Sequence, residues 1–156
     1  MHVGRRRSGW ALVALGCALG LSGAPAHAGM RAMLHALQGR VVYVDFWASW
    51  CVPCRESFPW MKALEQRYAR RGLSIVAVNL NHHRRNAEQF LRVFRPDFTV
   101  VFDPSGRLAR RYKIIGMPTS FLIDRSGHIQ FTHTGFFLRQ RGEYEREVRE
   151  LLAQEK

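Results

Sequence analysis

"RVVYVDFWASWCVPCRESFPWM", residues 40–61, carries two signals in direct succession. Residues 40–46 are an apolar, β-branched run, the pattern of a buried strand. Cys51 and Cys54 then stand two residues apart at what reads as a helix start. That helix should reach about Arg71, with Phe58, Met61, Leu64 and Tyr68 along one face. Pro59 falls inside it and is expected to kink it; Gly72 stops it. A strand thus delivers a cysteine pair to the mouth of a helix.

The downstream chain repeats this alternation. "LSIVAVNL", 73–80, reads as a second buried strand with a polar end at Asn79. "NAEQFLRVF", 86–94, sets Ala87, Phe90, Leu91 and Phe94 at helical spacing, and Pro96 closes it. "FTVVFD", 98–103, is a third strand, ending in a turn over Asp103–Gly106, and Leu108, Ala109 and Tyr112 make a short helix. Strands 120–124 and 128–134 flank Arg125-Ser126-Gly127, a hairpin signal. From about Leu138 the tail places Tyr144, Val148, Leu151 and Leu152 on one helical face. Its other face offers Glu145–Arg149 and Arg146–Glu150 as i,i+4 ion pairs. The order β-α-β-α-β-α-β-β-α describes an α/β sandwich. Its central mixed sheet has a parallel core and a C-terminal antiparallel hairpin, with helices on both faces.

The N-terminus has a separate character. Arg5-Arg6-Arg7 precedes an apolar run from about Trp10 to Leu21, and Ala26-His27-Ala28 follows. This is the order of a secretory signal, cut after Ala28; the run is short of the ~20 apolar residues of a transmembrane helix. A twin-arginine signal, a retained anchor and lipidation at Cys17 remain open as alternatives. Cleavage would leave residues 29–156 as one domain with a net charge of +9, long enough to build a core without disulfide staples. The expected location is the periplasm. The excess of arginine accompanies no helix-turn-helix, finger or RNA-recognition signature, so nucleic acid is excluded as a partner. Acidic partners or an anionic surface fit the charge better.

Two thiols can be half a metal site, a structural disulfide or a redox centre. Zinc would need two further ligands at recognisable spacing, and no second Cys-x-x-Cys exists. His82-His83 reads as a solvated polar loop, and His133 as a surface residue on an alternating strand. A bridge closing so short a loop adds little stability. Redox chemistry remains, and it needs no cofactor or metal. At a helix start, free backbone N–H groups and the helix dipole favour thiolate over thiol. Cys51 is expected to be the exposed nucleophile and Cys54 the resolving thiol one turn inward. Asp45 interrupts an apolar strand six residues before Cys51. Burial there should raise its pKa and fit it to accept the Cys54 proton; a strand-end carboxylate wetted by solvent is the alternative. Trp50, Val52 and Pro53 are expected to form an apolar rim for docking substrate, Trp47 to pack in the core, and Arg55 to be a solvated first-turn cation within reach of the thiolate.

"VDFWASWCVPC", 44–54, nearly reproduces the thioredoxin signature, and "GMPTSFLID", 116–124, is similar to the thioredoxin-fold segment that carries a cis-proline, here Pro118. With the aspartate-proline turn and "DRSGHI", residues 35–153 most resemble the TlpA/ResA-like branch of exported thiol–disulfide oxidoreductases. The resemblance implies a thioredoxin-like sandwich in which Pro118 packs on the cysteines and Met117 offers its backbone to a substrate strand. It further implies a protein-disulfide reductase, favoured in that direction by the proline between the cysteines. Recharging by a membrane electron-donor protein is implied too, with clients such as apocytochrome c or copper-site cysteines. We expect a monomer. Disulfide oxidase or isomerase activity, and a copper-handling chaperone, are the alternatives. The chain departs from that branch at two places. Asp45 stands where asparagine is common, and Ser57 where a glutamate follows the second cysteine, with Glu56 one residue earlier. The proton-accepting role is therefore expected at Asp45.

Overall fold

The structure, a computed structural model, describes residues 34–154; the expected export segment and Cys17 lie outside the described residues. Strand β1 spans Val41–Trp47 and is buried along its whole length, because it occupies the centre of the sheet. It pairs in parallel with β2, Leu73–Asn79, which pairs in parallel with β3, Thr99–Phe102. On its other side β1 runs antiparallel to β4, Thr119–Ile123, and β4 forms a hairpin with β5, Ile129–Thr134. The order β3-β2-β1-β4-β5 is the mixed sheet expected from the sequence.

Helix α1 runs Val52–Tyr68, with Cys54, Ser57, Phe58, Met61, Leu64 and Tyr68 buried. Those positions recur every three to four residues, so one stripe faces the sheet. Pro53 sits in the first turn, where its missing N–H leaves no bond unmade. Pro59 lies on the exposed side, and the helix continues through it to Tyr68 before a 3-10 turn over Ala69–Arg71. Gly72 ends that turn at φ +102°, a conformation only glycine adopts freely, and its carbonyl accepts from the Val41 N–H to dock the turn on β1.

Helices α2, Arg84–Phe94, and α4, Arg141–Ala153, cover the same sheet face as α1. The core there is aromatic. Phe58 meets Trp47 at 4.6 Å and Phe90 at 4.8 Å between ring centroids, and Trp47 meets Phe90 at 4.6 Å. The opposite face packs Val42, Val44, Phe46, Val76, Val78 and Phe121 against Leu108 of α3, Arg107–Arg111. Buried Asp103 does more than turn the chain. Its carboxylate accepts the N–H groups of Arg107, Leu108 and Ala109, capping a helix too short to stand alone.

Three surface expectations are corrected. Glu145 does not pair with Arg149; its carboxylate takes Arg67 at 2.5 Å and the Tyr68 hydroxyl at 2.6 Å, tying α4 to α1. Arg146 lies 3.6 Å from Glu143 instead of pairing with Glu150. His133 is only partly exposed: α4 crosses its strand and packs Tyr144 and Glu147 against the ring. Arg55 is exposed but lies over the rings of Phe90 and Phe94, where its charge meets their π faces.

Candidate redox site

The β1–α1 junction places the cysteines. Cys51 is the N-cap of α1, and its Sγ accepts the Cys54 N–H at 3.3 Å, one of the helix donors with no partner inside the helix. Sulfur therefore sits at the positive pole of a 17-residue helix, where negative charge is stabilised. Cys54, one turn on, is bonded to it as a disulfide, so the structure holds the oxidised state. Cys54 is fully enclosed. Cys51 is less open than its position at the helix start implies, retaining 5% exposure at the wall of one groove.

That groove, about 590 Å³, is lined by Trp50, Cys51, Val52, Pro53, Leu80, Ala109, Ile114, Ile115, Gly116 and Met117. Three of these apolar side chains are turned outward against their chemistry: Trp50 is 69% exposed, Val52 68% and Ile115 92%. A cluster of unburied apolar groups around one reactive sulfur is the character of a docking surface. Leu80, Ile114 and Ile115 carry no motif and were not singled out from the sequence; only the fold brings them to the cysteines. The Met117–Pro118 peptide is cis, which sets Met117 on the groove wall. Beyond it, the Gly135 N–H donates to the Pro118 carbonyl at 2.7 Å.

A second group overlooked in the sequence holds the loop before Cys51. Asn81 Oδ1 accepts from the Ser49 N–H and from Asn79 Nδ2, each at 2.9 Å, while Asn81 Nδ2 donates to Ser49 Oγ at 2.8 Å. The network is buried and fixes Ser49-Trp50-Cys51 to the end of β2. Asn81 belongs to no motif, which hid this role.

Asp45 lies on the sheet face against which the cysteines pack. It shares the α1 side of β1 with Tyr43 and Trp47, since alternate residues of a strand point the same way. It is 1% exposed, and its Oδ2 has no hydrogen-bond partner. Desolvation raises its pKa well above the ordinary carboxylate value. The wetted strand-end alternative does not hold. Ser57, at the other departure from the expected pattern, is buried and donates its hydroxyl to the Cys54 carbonyl at 3.0 Å. It is a helix-backbone partner for the second cysteine and carries no charge. Among the described residues no group of three or more His, Cys, Asp or Glu side chains converges as a metal site. His82 and His83 are exposed, and His82 Nδ1 lies 3.1 Å from the Pro104 carbonyl oxygen.

Comparison with known proteins places this geometry. The family model for Redoxin matches residues 24–151. Thiol-disulfide oxidoreductase ResA of Geobacillus thermodenitrificans is 35% identical over 98 residues, covering 63% of this chain and 56% of that protein. ResA of Bacillus subtilis is 33% identical over 107 residues, covering 69% and 60%. The chain thus spans little more than half the length of these curated relatives. Among solved structures, a Chlorobium tepidum protein designated thiol:disulfide interchange protein DsbE shares 46% identity with a TM-score of 0.76, over 77% of this chain and 85% of that one. StoA from Bacillus subtilis shares 28% with a TM-score of 0.61, over 70% and 82%. With the family model spanning the sheet, the helices and both cysteines, the chain belongs to the Redoxin family and is built on the thioredoxin fold.

Proposed function

We propose that this chain is a periplasmic thiol–disulfide oxidoreductase that reduces disulfides in protein substrates. One observation carries the reading: an N-cap sulfur at a helix pole opens onto an apolar groove, with its partner sulfur enclosed behind it. The asymmetry assigns the order of attack. In the reduced protein the Cys51 thiolate attacks one substrate sulfur, the substrate S–S bond breaks, and one substrate thiolate departs. Asp45 takes the Cys54 proton, and the Cys54 thiolate attacks Cys51 Sγ. The second substrate sulfur leaves, two electrons have passed to the substrate, and the Cys51–Cys54 bond remains. Trp50, Val52, Pro53 and Ile115 hold an apolar stretch beside the scissile bond, and Met117 offers backbone to an extended segment.

Likeness to ResA and to the protein designated DsbE supports this class of reaction. The reducing direction, the periplasmic setting and a membrane protein as the source of electrons belong to the proposal, as do clients such as apocytochrome c or copper-site cysteines. A monomer without cofactor suffices for it. The test is covalent trapping. Cys54→Ser should accumulate mixed disulfides with client proteins at Cys51, and Cys51→Ser should accumulate none. Capture by neither variant, or equal capture by both, would overturn the assignment of roles.

A further inference from the structure

Asp45 is enclosed, so a proton taken from Cys54 needs a way out. Sheet register supplies one. Asp45 faces Ser120 across β1 and β4, and Ser120 faces His133 across β4 and β5. Residues directly opposite in antiparallel strands project from the same face with Cβ atoms about 5 Å apart. A carboxyl, a hydroxyl and an imidazole therefore stand in one row under α1 and α4.

Hydrogen bonding gives the row a direction. Ser120 Oγ accepts the Tyr43 hydroxyl at 2.8 Å, which leaves its own hydrogen to point along the row. At the two ends, Asp45 Oδ2 and His133 Nδ1 are buried and have no partner. On the far side of the ring, His133 Nε2 lies 3.0 Å from Glu147 Oε2, in contact but outside hydrogen-bond alignment. The ring packs on Tyr144 at 4.6 Å between centroids. The His133 side chain is 18% exposed, so of the three it alone reaches solvent. Buried polar atoms without partners are costly, and two of them flank one hydroxyl in this row.

Resting on the reading of Asp45 as proton acceptor, we propose that His133 is the outlet of a proton relay, Asp45–Ser120–His133, with Glu147 positioning the imidazole. Once Asp45 holds the Cys54 proton, and before Cys54 attacks, the Asp45 O–H bond breaks and the proton passes through one water to Ser120 Oγ, so that it cannot return to the thiolate. Ser120 hands its own proton to His133 Nδ1. The imidazolium then loses the Nε2 proton to solvent beside Glu147. One proton enters the row, one leaves, and no electrons move. Tyr43 organises the row without titrating, since burial first, and then the neighbouring Asp45 charge, hold its phenol far above the usual range. The other ionisable groups facing the row are Cys54 from α1, and Tyr144 and Glu147 from α4.

The experiment is single-turnover reaction of the reduced full chain with 5,5′-dithiobis(2-nitrobenzoate). A first burst of chromophore reports attack by Cys51, and a second reports resolution by Cys54. His133→Phe keeps a ring against Tyr144 and should slow the second burst at least about tenfold, less than the roughly 100-fold or more of a directly acting acid or base, leaving the first unchanged. His133→Gln provides the same readout should the phenylalanine disturb the fold. Free imidazole should restore the second burst in His133→Gly, and the double variant Asp45→Asn/His133→Phe should be no slower than Asp45→Asn. If Asp45→Asn slows resolution and His133→Phe does not, the relay is wrong and Asp45 stands. If neither slows it, the reading of Asp45 fails first. A slow His133→Phe with no imidazole rescue and an additive double variant would reduce His133 to packing and overturn the relay.

Discussion

Replacing Asp45 by Asn should strengthen the fold and slow the chemistry at once. The carboxyl is enclosed, Oδ2 has no partner, and desolvation lifts its pKa well above 3.8. The unfolded chain therefore loses this proton at a lower pH than the native protein. Below about pH 4 the group is neutral in both states and carries no charge penalty. As pH rises from there through the folded pKa, the unfolded state binds fewer protons than the native one and stability falls, reaching its full loss above that pKa. Asparagine never ionises. Its advantage should be near zero in acid and grow toward neutrality. An unpartnered buried group costs about 1–3 kcal/mol, more when charged; the buried amide keeps part of that cost, so the net gain should be about 2 kcal/mol at neutral pH. For a domain of this size that corresponds to a rise in Tm of roughly 8 °C. Thermal and urea denaturation of the oxidised proteins across this pH range reads it directly. Resolution by Cys54 should meanwhile fall about 100-fold, as for loss of a positioned base. A variant less stable than the parent at neutral pH, or a gain indifferent to pH, would refute the burial argument.

Three further outcomes follow from the packing and the groove. Phe58→Ala, in the ring cluster with Trp47, Phe90 and Phe98, should cost about 3–5 kcal/mol in urea denaturation. Asn81→Ala strips the Ser49 N–H and Asn79 amide of their acceptor; a loss of about 2–3 kcal/mol is expected, with a slower first burst as the Cys51 loop loosens. Trp50→Ala should leave stability within about 0.5 kcal/mol, as surface substitutions do. Its KM for a protein disulfide should rise about tenfold, the effect of removing one well-packed contact residue, while small disulfides react as before.

Hydrophobic periodicity made the elements legible. Central strands are buried on both faces and read as continuous apolar runs, and α1 shows its buried stripe from Cys54 to Tyr68. The cysteine pair was legible because two thiols at a helix start have few other uses. What stayed hidden depends on contacts distant in sequence. His133 sits on an alternating edge strand that looks solvated until α4 crosses it. Glu145 has an arginine four residues on, yet it finds Arg67 and Tyr68, which are 78 and 77 residues away. Ile115 and Leu80 reach the groove only because α3 and the end of β2 converge there. Asp103 read only as a turn residue and Asn81 belonged to no motif, since the same side chains that favour turns also cap helices and lock loops.

Most directly at stake is the difference between the two sulfurs. The reduced protein should be alkylated with iodoacetamide over a graded pH series and each cysteine followed by peptide mass. Cys51 should react with a midpoint well below the ~8.5 of free cysteine, and Cys54 should stay protected at every pH that leaves the fold intact. A Cys51 midpoint at the free-thiol value, or equal labelling of the pair, would contradict the account.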